Sequence, residues 1–348
     1  QNLFAGSAFL QDRWSPISSV LLEPGIRLDE DELLHRALVS PRFAATWMLT
    51  RDDQTKISSG VGLYYDRTDL DMLTRPLAGT RSDIFYAPDG VTPLGPAVVT
   101  SFQANRAALT EPRTLNWSVA LERRLPASVY MKVEFLEKRG YDGFDYVDEN
   151  LAISPNGLPS SGTFTLQNGK QDKFDSATFS FRRTFRQQYP LFFAYTRSRA
   201  HSNAVLDSTL DVPFYSLQFA GPLPWDAPNR VQSWGAAPFR LPIIHALEFD
   251  YSFDWRTGYP YNVINLEQEL VELPGRARFP DSASLNLHIE KRFHAFGYEW
   301  ALRAGFNNIT NRQDPLVVDN NIDSPTFGAF SNFNRRAFTG RIRFLGRK

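Results

Sequence analysis

Residues 284–293, SLNLHIEKRF, alternate in a two-residue rhythm. Leu285, Leu287, Ile289 and Phe293 fall on one face with Lys291 among them, and Ser284, Asn286, His288, Glu290 and Arg292 fall on the other. Successive side chains of a strand point to opposite faces, so the stretch reads as a strand with one apolar and one polar face. The same rhythm sets Val20, Leu22, Ile26 and Leu28 against Glu23, Arg27 and Asp29, and Leu115, Trp117, Val119 and Leu121 against Asn116, Ser118 and Glu122. It sets Leu247, Phe249, Tyr251, Phe253 and Trp255 against Glu248, Asp250, Ser252 and Asp254, and Phe338, Ile342 and Phe344 against Thr339, Arg341 and Arg343. No long segment combines helical spacing with a cap at each end. About 13 segments of roughly 9–12 residues qualify as strands, the length that crosses a bilayer when tilted. They fall near 3–14, 18–29, 40–50, 55–65, 112–125, 128–139, 173–186, 189–201, 228–236, 242–256, 283–293, 298–309 and 335–345.

The connections alternate in length. Short ones lie near 15–17, 51–54, 126–127, 187–188, 237–241 and 294–297. Long ones lie near 66–111, 140–172, 202–227, 257–282 and 310–334, with a modest one at 30–39. Outer-membrane barrels join their strands by short periplasmic turns and longer extracellular loops. The pattern therefore predicts an all-β fold, an antiparallel transmembrane β-barrel, with residues 1–348 forming one domain of it. In that fold the apolar face meets lipid and the polar face lines a wet interior. The candidate lumen-facing residues are Glu248, Asp250, Asp254, Asn286, His288, Glu290, Arg303, Arg341 and Arg343. A soluble multi-sandwich protein is the competing architecture, in which the apolar faces would pack on each other. Aromatics near strand ends, Tyr65, Trp255, Tyr298 and Trp300, suit the girdles found at membrane interfaces.

Composition narrows the function classes. The 348 residues carry 38 basic and 38 acidic side chains, so no overall charge draws the chain to nucleic acid. Cysteine is absent, which excludes disulfide scaffolds and thiolate metal sites. No run of about 18 apolar residues suggests a membrane helix. A mean hydropathy of −0.34 looks soluble, but half of every barrel strand is polar. A bacterial envelope protein needs an export signal, and the chain opens on QNLFAGSAFLQDRW instead. The expectation is that an N-terminal part is missing.

Catalytic chemistry finds no foothold. His35, His201, His245, His288 and His294 form no HExxH or HxH pair, and neither a GxSxG elbow nor a phosphate loop occurs. No catalytic, cofactor or metal residues are assigned. The acidic runs DLD at 69–71 and DEDE at 29–32 lack the turn spacing of a calcium loop and read as solvated loop. Aromatic-rich loops, IFYAPDGVTPLGP (84–96) and DVPFYSLQFAGPLPWDAP (211–228), admit two readings. Phe85, Tyr86, Phe214, Tyr215 and Trp225 are candidate contacts for an extracellular ligand, since loops on a rigid scaffold carry recognition. Alternatively, they pack the loops together over the barrel mouth.

Several stretches carry a resemblance. AFLQDRW (8–14), EPGIRLD (23–29), SPRFAATW (40–47), GVGLYYD (60–66), AYTRSRAHS (194–202), DAPNR (226–230), RTGYPYN (256–262), FPDSASLNLHIEKRF (279–293) and AGFNNITNRQDP (304–315) occur in that order. Together they resemble the C-terminal barrel of TonB-dependent outer-membrane receptors, in particular the Oar-like branch. The resemblance implies a 22-stranded barrel, a plug domain and a TonB box upstream of residue 1, and import of a scarce ligand powered from the inner membrane. The thirteen strands seen here would be the last of the 22. Implied partners are outer-membrane lipid, the plug of the same protein, the TonB complex and an unidentified extracellular ligand such as a metal chelate, a glycan or a peptide. The chain departs from the family at its end, where Phe344 is followed by LGRK rather than closing on an aromatic residue. The alternative function is a structural or adhesive protein that uses the barrel as an anchor, with a passive porin a third reading.

Overall fold

A computed structural model describes residues 6–31, 34, 36–66, 69–87, 89–148, 162–186, 188–205, 219–241, 245–266 and 270–347. Thirteen strands follow one another in a single antiparallel sheet. They are β1 (Ser7–Gln11), β2 (Val20–Asp31), β3 (Arg36–Met48), β4 (Thr55–Tyr65), β5 (Arg113–Leu125), β6 (Val129–Tyr141) and β7 (Asp172–Phe185). The order continues with β8 (Tyr189–Ser202), β9 (Asn229–Leu241), β10 (His245–Arg256), β11 (Ser282–Ala295), β12 (Tyr298–Asn307) and β13 (Ala337–Gly346). Each strand pairs with its sequence neighbours, and among the described residues β1 and β13 do not pair with each other.

Every expected strand segment has a counterpart, with three differences. Of the segment expected at 3–14, residues 3–5 lie outside the described residues, and the rest divides between β1 and a separate short strand, Trp14–Ile17, that also pairs with β2. The link expected at 30–39 shrinks, since β2 runs to Asp31 and β3 starts at Arg36. The ninth strand outruns its expected end at 236 and includes Pro238. That proline lies past Gly235, the last residue of β9 in register with β8. A proline lacks the N–H that a central strand needs, and here only one flank of the strand is paired.

Register makes the two faces continuous. One rung runs Val20, Trp47, Ile57, Leu121, Val133, Phe179, Tyr195, Val231, Trp255 and Ala283 through ten strands. The apolar face does not pack against a second sheet. Trp47, Phe135 and Ile342 remain 53%, 53% and 67% exposed. Exposed apolar surface of this extent requires cover, and a soluble sandwich would have buried it. Among the described residues no helix is long and apolar enough to cross a membrane; the strands supply the apolar surface.

The buried core sits elsewhere, in the long connections. Gly143–Asp148, Gly162–Lys170, Val98–Gln103 and Arg81–Asp83 form a second, four-stranded sheet in that order. Val98–Gln103 and Gly162–Lys170 pair in parallel, which joins the connection after β4 to the one after β6. Phe102, Phe144, Tyr146, Phe164 and Leu166 of this sheet cluster with Leu34, Met72, Leu73 and Leu109. The sequence reading took these connections as loops.

Candidate functional site

All nine residues proposed for the lumen lie on the polar face, in register. Glu248 faces Glu290, Glu290 faces Arg303, and Arg303 faces Arg341. Like charges directly opposite each other are unfavourable. The side chains resolve this by reaching across the ladder and along the strand to opposite charges. Arg343 donates to both Glu290 oxygens at 2.7 and 2.6 Å, Arg303 approaches Asp250 at 3.4 Å, and Arg292 lies 3.7 Å from Glu290. Glu290 is thereby 5% exposed yet compensated by two guanidinium groups. A buried carboxylate without partners would be costly.

The neighbouring polar side chains are tied in the same way. His288 Nε2 and Thr339 Oγ1 lie 2.9 Å apart, although Gly305 stands between them in the ladder. A Cβ at Gly305 would collide with the Leu287 carbonyl oxygen and the His288 Cα, so only glycine leaves the path for that ring. Asn286 donates to Ser252 at 3.0 Å and accepts from the Asn308 backbone N–H at 2.8 Å. Asp254 accepts from Arg230 at 2.6 Å and from Gln232 at 3.0 Å. Arg341 is exposed on this face. The sequence reading missed Arg230, Arg292 and Thr339 as members of the cluster, although their places in the alternation put them on its face.

The loop candidates divide. Tyr86 is 48% exposed and bridges to Pro93, Phe85 is half-buried, and Trp225 is 51% exposed with its ring 5.5 Å from that of Phe174. Phe214 and Tyr215 lie outside the described residues. Close by, Asp226 ties two long connections to the sheet. It accepts from the Ala200 N–H at 2.7 Å and from Arg278 at 2.6 Å, and Arg278 also donates to the Gly258 carbonyl. The acidic runs have structural duties. Asp69 caps the short helix Leu70–Thr74 by accepting from the Asp71 N–H at 3.0 Å, and Asp29 receives the Arg27 guanidinium.

Two titrating groups in the long connections are displaced furthest. Hydrogen bonds from the Thr92 hydroxyl and from the Thr92 and Val91 N–H groups lower Asp89 to about 2. Burial pushes Tyr146 up to about 12, its hydroxyl donating to the Met72 carbonyl at 2.5 Å.

A sequential antiparallel sheet with one largely apolar face, one charged face and connection lengths that alternate from β3 onward defines an outer-membrane barrel sheet. The chain belongs to the outer membrane beta barrel domain family, whose model matches residues 33–252, and the protein is accordingly placed in the bacterial outer membrane. A comparison with curated proteins finds no match. Among solved structures, the outer membrane transporter YddB from Escherichia coli is 16% identical with a TM-score of 0.66 over 97% of this chain. The ferric enterobactin receptor PfeA from Pseudomonas aeruginosa, in a mutant form, is 13% identical with a TM-score of 0.68 over 97%. The siderophore receptor PirA from Acinetobacter baumannii is 14% identical with a TM-score of 0.64 over 98%. At these identities the likeness is one of fold. The chain spans 44%, 44% and 45% of those three chains, less than half of each.

Proposed function

We propose that the chain is the C-terminal part of the barrel of a TonB-dependent transporter, which admits an extracellular ligand past a plug held inside the barrel. The carrying observation is that its thirteen strands follow transporter and receptor barrels over nearly their whole length while covering less than half of those proteins. The charged face then lines the lumen, where the Glu290, Arg343, Asp250 and Arg303 cluster gives a plug fixed polar partners. Tyr86 and Trp225, exposed in the long connections, are first candidates for ligand contact, and a ferric chelate is the first ligand class to test, as the three neighbours include a ferric enterobactin receptor and a siderophore receptor.

Deleting the complete gene should abolish uptake of one iron-loaded chelate in an iron-starved strain, and inactivating TonB should reproduce the loss. Uptake of every tested chelate unchanged by deletion, or independent of TonB, would count against the reading.

A further inference from the structure

Toward the long connections, the apolar face gives way to charge on β6, β7 and β8. On β6, β7 and β8 it carries Val133, Phe179 and Tyr195 in one rung, then Phe135, Ala177 and Arg197, then Glu137, Asp175 and Arg199 toward the long connections. A groove of about 870 Å³ opens there, lined by Trp117, Phe135 and Ala177 together with these charged residues and the Asp226–Arg278 pair. Small Ala177 stands between the larger Phe135 and Arg197 and leaves the notch.

The charges at this groove are unequal. Glu137 is matched by Arg139 at 2.6 Å and Asp175 by Lys173 at 3.0 Å. Arg197 and Arg199 are exposed, and among the described residues neither has an ion-pair partner. Arg197 is nonetheless held in place. Its guanidinium and the Tyr195 hydroxyl both donate to Asn229 Oδ1, at 3.0 and 2.8 Å. Arg199 lies opposite Asp175 in the ladder, but Asp175 and Glu137 are already paired, so the two arginines leave the groove with an excess of positive charge that suits an anion. Tyr195 and Trp117 mark the depth, because such side chains settle at the level of lipid headgroups. Guanidinium groups match phosphate oxygens with paired donors, while Val133, Phe135 and Phe179 continue below as an apolar track for an acyl chain.

We propose that this groove is a binding site for a phosphate-bearing lipid of the outer leaflet, with Arg197 and Arg199 on the phosphate. The assignment rests on the orientation in which the long connections face outward.

The test uses the complete protein, purified from outer membranes in mild detergent and transferred to nanodiscs. Native mass spectrometry and titration compare a diphosphorylated lipid A with phosphatidylcholine. Wild type should retain the phosphorylated lipid selectively. Arg197→Gln with Arg199→Gln should weaken it about thirtyfold, at roughly fivefold for each cation near a charged surface. The corresponding double lysine variant should keep most of the binding, and Arg51→Gln, at a short turn, should keep all of it. A heat-shifted band on a denaturing gel certifies that each variant is folded. Equal retention in the glutamine variant, equal retention of phosphatidylcholine, or displacement by millimolar inorganic phosphate would overturn the lipid assignment. A cysteine at position 87, between β4 and β5, reads orientation independently by labelling of intact cells with an impermeant maleimide. Lack of labelling there, with lipid binding intact, would overturn the outer-leaflet placement and the orientation together, but not the groove's affinity for phosphate.

Discussion

Leu287 and His288 are adjacent on β11 and point to opposite faces, one opposite Tyr251 and Phe306, the other opposite Asp250 and Gly305. Their fates on substitution should therefore diverge. Leu287→Arg sets a charge on the lipid-facing side at a cost of about 2–4 kcal/mol if it lies near the bilayer midplane. Single cysteines introduced at the two positions separate the faces directly. A probe at 287 should be quenched by lipids carrying spin labels and a probe at 288 should not; equal quenching would refute the assignment of faces. At this scale the sequence is informative, because a period of two fixes which side chains share a face once one of them is placed. Partners are another matter. Nothing local pairs Arg343 with Glu290, 53 residues away, since that bond depends on the register of three strands.

Elements divide by how their stability is built. The barrel strands are long and alternate, so their existence is readable and only their ends are not; Pro238 marks an end in the sequence that β9 passes through. The small sheet was invisible because its strands are short and its parallel pairing joins segments about sixty residues apart. Tyr146 in that sheet gives it a pH signature. Its phenol titrates at about 12 when folded against an ordinary value of 10.0. A raised value means that the folded state favours the neutral phenol, so this contribution, on the order of 3 kcal/mol, is complete below pH 10 and lost as pH rises through 12. Ultraviolet titration should show one tyrosine ionising late, and Tyr146→Phe should remove it. A second expectation concerns Asp226, 3% exposed and shared by β8 and two long connections. Asp226→Asn keeps an acceptor for Ala200 but surrenders the charge opposite Arg278, at about 1–3 kcal/mol. Limited proteolysis should then cut sooner between β8 and β9 and between β10 and β11, with the strands themselves still protected.

The molecule as a whole is an open path of thirteen strands, and its two outermost members each show one unpaired flank among the described residues. Unpaired strand edges recruit other chains, and closed barrels avoid the problem by having none. Residues 1–348 produced alone should aggregate and give no compact, heat-shifted band on a denaturing gel. A compact band would mean that these strands close on themselves. The alternation of connection lengths made the membrane architecture legible from sequence. The competing sandwich was excluded by the exposure of residues such as Trp47 and Ile342, a property of packing that no pattern of residues contains.

The parallel pairing within the small sheet has a consequence in time. Gln103 donates to the Thr165 hydroxyl at 2.7 Å across 62 residues of chain, and β5 and β6 lie between the two partners. Pairing at such a separation waits until the intervening hairpin has brought the segments together. Insertion of that hairpin into the bilayer should precede assembly of the sheet above it, so the outward surface would mature last, and a pulse-labelled chain should acquire its membrane-protected amides before those of Val98–Gln103.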